Sequence, residues 1–140
     1  MAVMGEYPTL RAVNEAYGPT FSEQWLYVEI ADMSLFVGAK NLDKRQQMQL
    51  AQVIATEYRH LKVTELLLFF HRFKTGRYGH FYGSVDPMVI TCALRTFIAE
   101  RNDLIARYEQ QRREQEEEEY RKNHPPMSYD EWKKRQLNNQ

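Results

Sequence analysis

A chain of 140 residues is long enough to bury one core and too short for two independent domains. Its 43% hydrophobic and 13% aromatic content excludes wholesale disorder, while a mean hydropathy of -0.68 requires one stretch to be strongly polar. Formal net charge is zero, and a single cysteine, Cys92, excludes an intrachain disulfide and fits a reducing compartment.

The first expected element is a short helix, Leu10 to Tyr17, following Thr9 and closed by Gly18-Pro19. Ser22 reads as the next N-cap, opening a helix in which Trp25, Val28, Ile30, Met33, Leu35, Phe36 and Val37 leave little polar surface; it should end at Gly38 and be buried on much of its circumference. A third helix is expected from Asn41–Asp43 to about Leu61, with Leu50, Val53, Ile54, Tyr58 and Leu61 on its buried side. Thr64 then caps a helix from Glu65 to about Thr75 whose Leu66, Leu67, Leu68, Phe69, Phe70 and Phe73 make it the central core helix, with Gly76 as its left-handed C-terminal residue. A short extended piece over Arg77 to Tyr82 is the sole strand-like stretch.

Asp86-Pro87 is a strong helix start: an acceptor at the N-cap and a proline where its missing donor costs nothing. Ile90, Leu94, Phe97, Ile98, Arg101, Ile105 and Tyr108 trace one stripe, and no apolar residue occurs from Glu109 to Glu119, so this helix should run on into solvent, aided by Glu117/Arg121 and Glu118/Lys122 pairs. His124-Pro125-Pro126 stops it. A last short helix begins at Ser128 with Glu131 three residues on, and shows an apolar face of Tyr129, Trp132 and Leu137. The expectation is an all-α single domain of about five helices with a long penultimate helix: a helical core over 1–108, a polar extension and proline hinge over 109–127, and a docking helix over 128–140.

Charge is unevenly spread. Residues 1–38 carry one cation, Arg11, against five acids, Glu6, Glu15, Glu23, Glu29 and Asp32; residues 39–84 carry eight cations against Asp43, Glu57 and Glu65. That asymmetry suits an anionic partner at the middle segment or internal pairing of the two halves. Between Phe69 and Pro87 lie Gly76, Gly79 and Gly83, with Arg72, Lys74, Arg77, Tyr78, His80 and Tyr82 offering charge and stacking surface together. One reading makes these six a contact surface for nucleic acid or a replication partner. The other makes the segment a structural connector whose Phe73, Tyr78, Phe81 and Tyr82 plug the end of the core. Gly76-Arg-Tyr-Gly79 has the spacing of a KH-domain loop, but no sheet accompanies it, so only the phosphate-friendly backbone remains of that likeness.

Glu57 and His60 have a metal-ligand spacing in one copy only, so no metal site is expected. Cys92, between Ile90 and Leu94, reads as a core residue. No nucleophile triad, Walker loop or dinucleotide fingerprint occurs, so neither an enzyme nor a cofactor is expected. Tyr129, Trp132 and Leu137, flanked by Lys133-Lys134-Arg135, suit docking on an acidic protein partner or a second copy, or folding back on the chain's own core. The longest apolar run, Leu66 to Phe70, is far short of the roughly 20 residues that cross a bilayer. With no basic-then-apolar leader at Met1 to Pro8, the expected location is cytoplasmic, without membrane contact.

The block from Leu42 to Arg101, with Ala51-x-x-Ile54, Glu57-Tyr58, Leu61-Lys62, Glu65-Leu66, Phe70-x-x-Phe73-Lys-x-Gly76-x-Tyr78-Gly79-x-Phe81-Tyr82-Gly83-x-x-Asp86 and Leu94-x-x-Phe97-x-x-x-Arg101, resembles small proteins of unassigned activity from gut bacteria of the Bacteroides group, often in prophage or mobile-element regions. The resemblance implies a mobile-DNA or replication setting and carries no catalytic residues with it. The expected role is a non-enzymatic accessory or adaptor protein acting on nucleic acid or a replication partner; the alternative is a protein-interaction or oligomerisation module.

Overall fold

The computed structural model describes residues 2–39, 42–79 and 85–139. Among them the chain is all-α, with six helices: α1 (Leu10–Tyr17), α2 (Phe21–Val37), α3 (Lys44–Glu57), α4 (Val63–Lys74), α5 (Pro87–Asn123) and α6 (Tyr129–Asn138). The count is six rather than about five, since each helical segment expected along the chain, including the two short terminal ones, forms its own helix. Thr9 Oγ1 accepts from the Ala12 amide at 3.1 Å, and Ser128 Oγ from the Glu131 amide at 3.3 Å. The chain divides into two compact units, Met1–Asn102 and Asp103–Gln140.

In the first unit, several helix ends are set by distant residues. α2 begins at Phe21, before the Ser22 cap that the sequence suggested, because Asn14 Oδ1 on α1 accepts the Ser22 amide at 2.8 Å. Ser22 itself is buried. α3 stops at Glu57, not Leu61, because residues 58–62 strap α1 instead. The Leu10 amide donates to the Leu61 carbonyl at 2.9 Å, the Arg11 amide to Arg59 at 3.0 Å, and the Val63 amide to Pro8 at 3.0 Å. The first free donors of a helix need acceptors, and here the strap supplies two of them. Thr64 does not cap α4; its hydroxyl donates to the Ala2 carbonyl at 2.8 Å, while Lys62 Nζ donates to the Gly5 carbonyl at 2.8 Å. α4 is the core helix, as expected: Leu66, Phe69, Phe70 and Phe73 are buried together with Leu10, Leu26, Ile30, Met33, Ile54, Ile90, Leu94 and Phe97. Gly76 at φ 80° and Gly38 at φ 67° make the left-handed turns after α4 and α2.

Glu65, in the first turn of α4, is fully buried. One of its carboxylate oxygens accepts from Arg101 of α5 and the other from the Lys62 amide at 3.1 Å, joining the start of one core helix to the flank of another.

In the second unit no described residue is buried. The polar half of α5 is held by its own i,i+4 ion pairs, Asp103–Arg107 at 2.8 Å, Arg112–Glu116 at 3.9 Å and Glu118–Lys122 at 3.9 Å; among the described residues the expected Glu117–Arg121 pair does not form. At its end the His124 ring stacks on Tyr120 with centroids 4.3 Å apart. Tyr129, Trp132 and Leu137 of α6 are all exposed.

Candidate functional site

The basic aromatic segment follows α4, and its cations find carboxylates within the molecule. Lys74 Nζ lies 2.7 Å from Asp32 Oδ2 of α2 and 5.7 Å from the Phe36 ring. Arg72 and Arg77 share Glu100 of α5, at 3.5 and 3.2 Å from its Oε2, and the Arg72 guanidinium sits 5.7 Å from the Phe97 ring centroid. Phe73 is buried, and the half-buried Tyr78 ring returns to the core at 5.7 Å from Phe69 and 6.4 Å from Phe73. His80, Phe81, Tyr82 and Gly83 lie outside the described residues, and with them half of the expected extended piece; residues 77 and 78 form a turn. Four of the six predicted contact residues are therefore described: three pair with acids, and the fourth packs on phenylalanines.

A cleft of about 570 Å³ opens beside this cluster, lined by Arg77, Tyr78, Asp86, Cys92, Thr96 and Glu100 among others. Cys92 is exposed there, which corrects its reading as a core residue. Helix geometry explains the error: Ile90, Ala93, Leu94 and Phe97 form the buried stripe, and Cys92 is two positions, or about 200°, from both Ile90 and Leu94. The cleft brings no histidine to the thiol among its described lining residues. Glu57 closes α3, and His60 is exposed in the turn beyond it, so the two do not share a helical face. Among the described residues no group of three or more His, Cys, Asp or Glu is arranged to hold a metal ion.

Among the described residues, the Tyr78 hydroxyl is enclosed without a hydrogen bond of good geometry, although the Arg72 guanidinium is near it. Burial pushes the phenol above its ordinary 10.0 and the Glu100 carboxylate adds to the rise, while Arg72 and Arg77 act against it. A raised value in the folded state favours the neutral phenol. The linked stability is then fully present below pH 10 and is lost as pH climbs through the folded value. Tyr78→Phe is expected to keep or slightly raise stability at neutral pH, since it removes an unpaired hydroxyl, and to flatten the alkaline decline. Urea unfolding at pH 7 and above pH 10 checks both; a destabilised phenylalanine variant at pH 7 would contradict the hydroxyl's unpaired state.

Two features were not foreseen. One is the Glu65–Arg101 pair, for which the signal was an arginine standing in the apolar stripe of α5. The other is the outer face of α2, where Val28, Leu35 and Phe36 are 61, 85 and 68% exposed. Met48 of α3, also exposed, lines a groove of about 330 Å³ with Tyr27 and Val28. Apolar residues on every side of one helix could not all face inward, and that was readable from the sequence.

No curated protein and no solved structure matches the chain. A family profile covers residues 41–140, well over half the length and all of α3 to α6, so the chain belongs to DUF6633, a family of unknown function.

Proposed function

We propose that this chain is a non-enzymatic adaptor that works by protein contact, with self-association through the outer face of α2 and a glycine-rich connector whose role is structural. The observation that carries this reading is the exposure of Val28, Leu35 and Phe36 on a helix whose apolar residues fall on every side. Such a helix is normally covered on most sides. Covering Leu35 and Phe36 is worth about 1.5–3 kcal/mol each. The connector reading draws support from Gly76, whose left-handed turn returns Tyr78 to Phe69. An exposed thiol at Cys92 supports a reducing, cytoplasmic setting, and the resemblance over 42–101 supports a mobile-element one.

Light scattering across a concentration series tests the reading. The expected result is a mass above the 16.8 kDa of one chain that falls back to one chain in Leu35→Glu. A wild-type protein that stays at one chain mass at the highest concentration refutes it.

A second reading, contact with nucleic acid, is favoured by the Arg72–Glu100–Arg77 cluster, where two guanidiniums share one carboxylate and Arg77 remains half exposed. DNA binding that weakens steeply from low to moderate salt and vanishes in Arg77→Glu would establish it.

A further inference from the structure

We infer that the occupant of the outer face of α2 is α6 of a second copy, docked reciprocally so that each chain lends its C-terminal helix to the other. This rests on the reading of α2 as a self-association surface and names what covers it. On α2 the exposed Phe21, Val28 and Leu35 recur every seven residues, with Phe36 beside the last, and so form one stripe. On α6, Tyr129, Trp132 and Leu137 form a second exposed stripe. From Tyr129 to Leu137 is eight residues, the same as from Val28 to Phe36, so both run about 12 Å along their axes.

Charge selects the pairing. From Phe21 to Val37, α2 carries Glu23, Glu29 and Asp32 and no lysine or arginine, whereas α6 carries Lys133, Lys134 and Arg135 after confining Asp130 and Glu131 to its first turn. Asp32 already pairs with Lys74, which leaves Glu29, about 20° round the helix from Phe36, to meet the basic run. An α2-on-α2 contact would instead bring no basic residue of either α2 to Glu29. A ten-residue helix is marginal by itself, so docking also stabilises α6. Two reciprocal contacts close a two-fold dimer.

Sedimentation equilibrium of the full chain tests this with Leu35→Glu and Trp132→Glu, both at exposed positions. The inference expects a wild-type dimer, at least tenfold weaker association in each variant, and recovery of a two-chain species when the variants are mixed, because one intact contact remains. Loss of the dimer in Leu35→Glu with its retention in Trp132→Glu overturns α6 as the occupant while leaving α2 as the interface. A failure of the mixed variants to associate at the highest concentration likewise overturns it. A wild-type chain that never exceeds one chain mass overturns this inference and the reading beneath it.

Discussion

Replacing Glu65 by alanine is expected to destabilise the first unit by about 3–5 kcal/mol, read as a fall in the urea unfolding midpoint. The carboxylate is fully buried and its partner Arg101 is only 16% exposed, so truncation leaves a guanidinium enclosed without its counter-charge. It also frees the Lys62 amide, which Glu65 accepts at the start of α4. The pair as a whole is a weaker contributor than this number suggests, because forming it first requires desolvating both groups. Replacing both residues together, Glu65→Leu with Arg101→Met, is therefore expected to recover most of the loss. A single-variant loss below about 1 kcal/mol would mean that Arg101 reaches water in the folded state.

Phe69→Ala is expected to cost a similar amount, about 3–5 kcal/mol. The Phe69 ring meets four others, with centroids at 5.4 Å to Phe70, 6.1 Å to Phe73, 5.7 Å to Tyr78 and 5.6 Å to Phe97, the last edge-on. Phe97 belongs to α5 and Tyr78 to the turn after α4, so one side chain ties three pieces of chain. Its removal leaves a void that rings on three sides are too stiff to fill, and the aromatic contacts add to the lost burial. Leu67, two residues earlier and 44% exposed, provides the internal control: its alanine variant should lose under 1 kcal/mol in the same titration. Equal losses at the two positions would contradict the placement of α4.

Elements whose boundaries are written in local chemistry were legible in the sequence. Asp86 accepts the Val89 amide at 2.9 Å ahead of Pro87, α2 ends at Gly38, and α5 ends before His124-Pro125-Pro126. Boundaries set by remote residues were not. The start of α2 depends on Asn14 of another helix, and the early end of α3 depends on α1 needing the carbonyls of Arg59 and Leu61. The basic segment shows the same divide. Counting charges revealed a cationic stretch, but only the packing of α2 and α5 against α4 shows Asp32 and Glu100 taking up those cations. Arg101 was the more informative residue, since an arginine amid Phe97, Ile98 and Ile105 requires a buried acid somewhere in the fold.

The strap at residues 58–62 also sets how α1 breathes. An eight-residue helix ordinarily opens and closes from its ends on its own, but the Leu10 and Arg11 amides are fastened to a stretch some fifty positions away in the chain. Solvent deuterium can reach those two protons only when that remote stretch lets go. The frailest-looking helix thereby becomes a gauge of the whole unit's cooperativity.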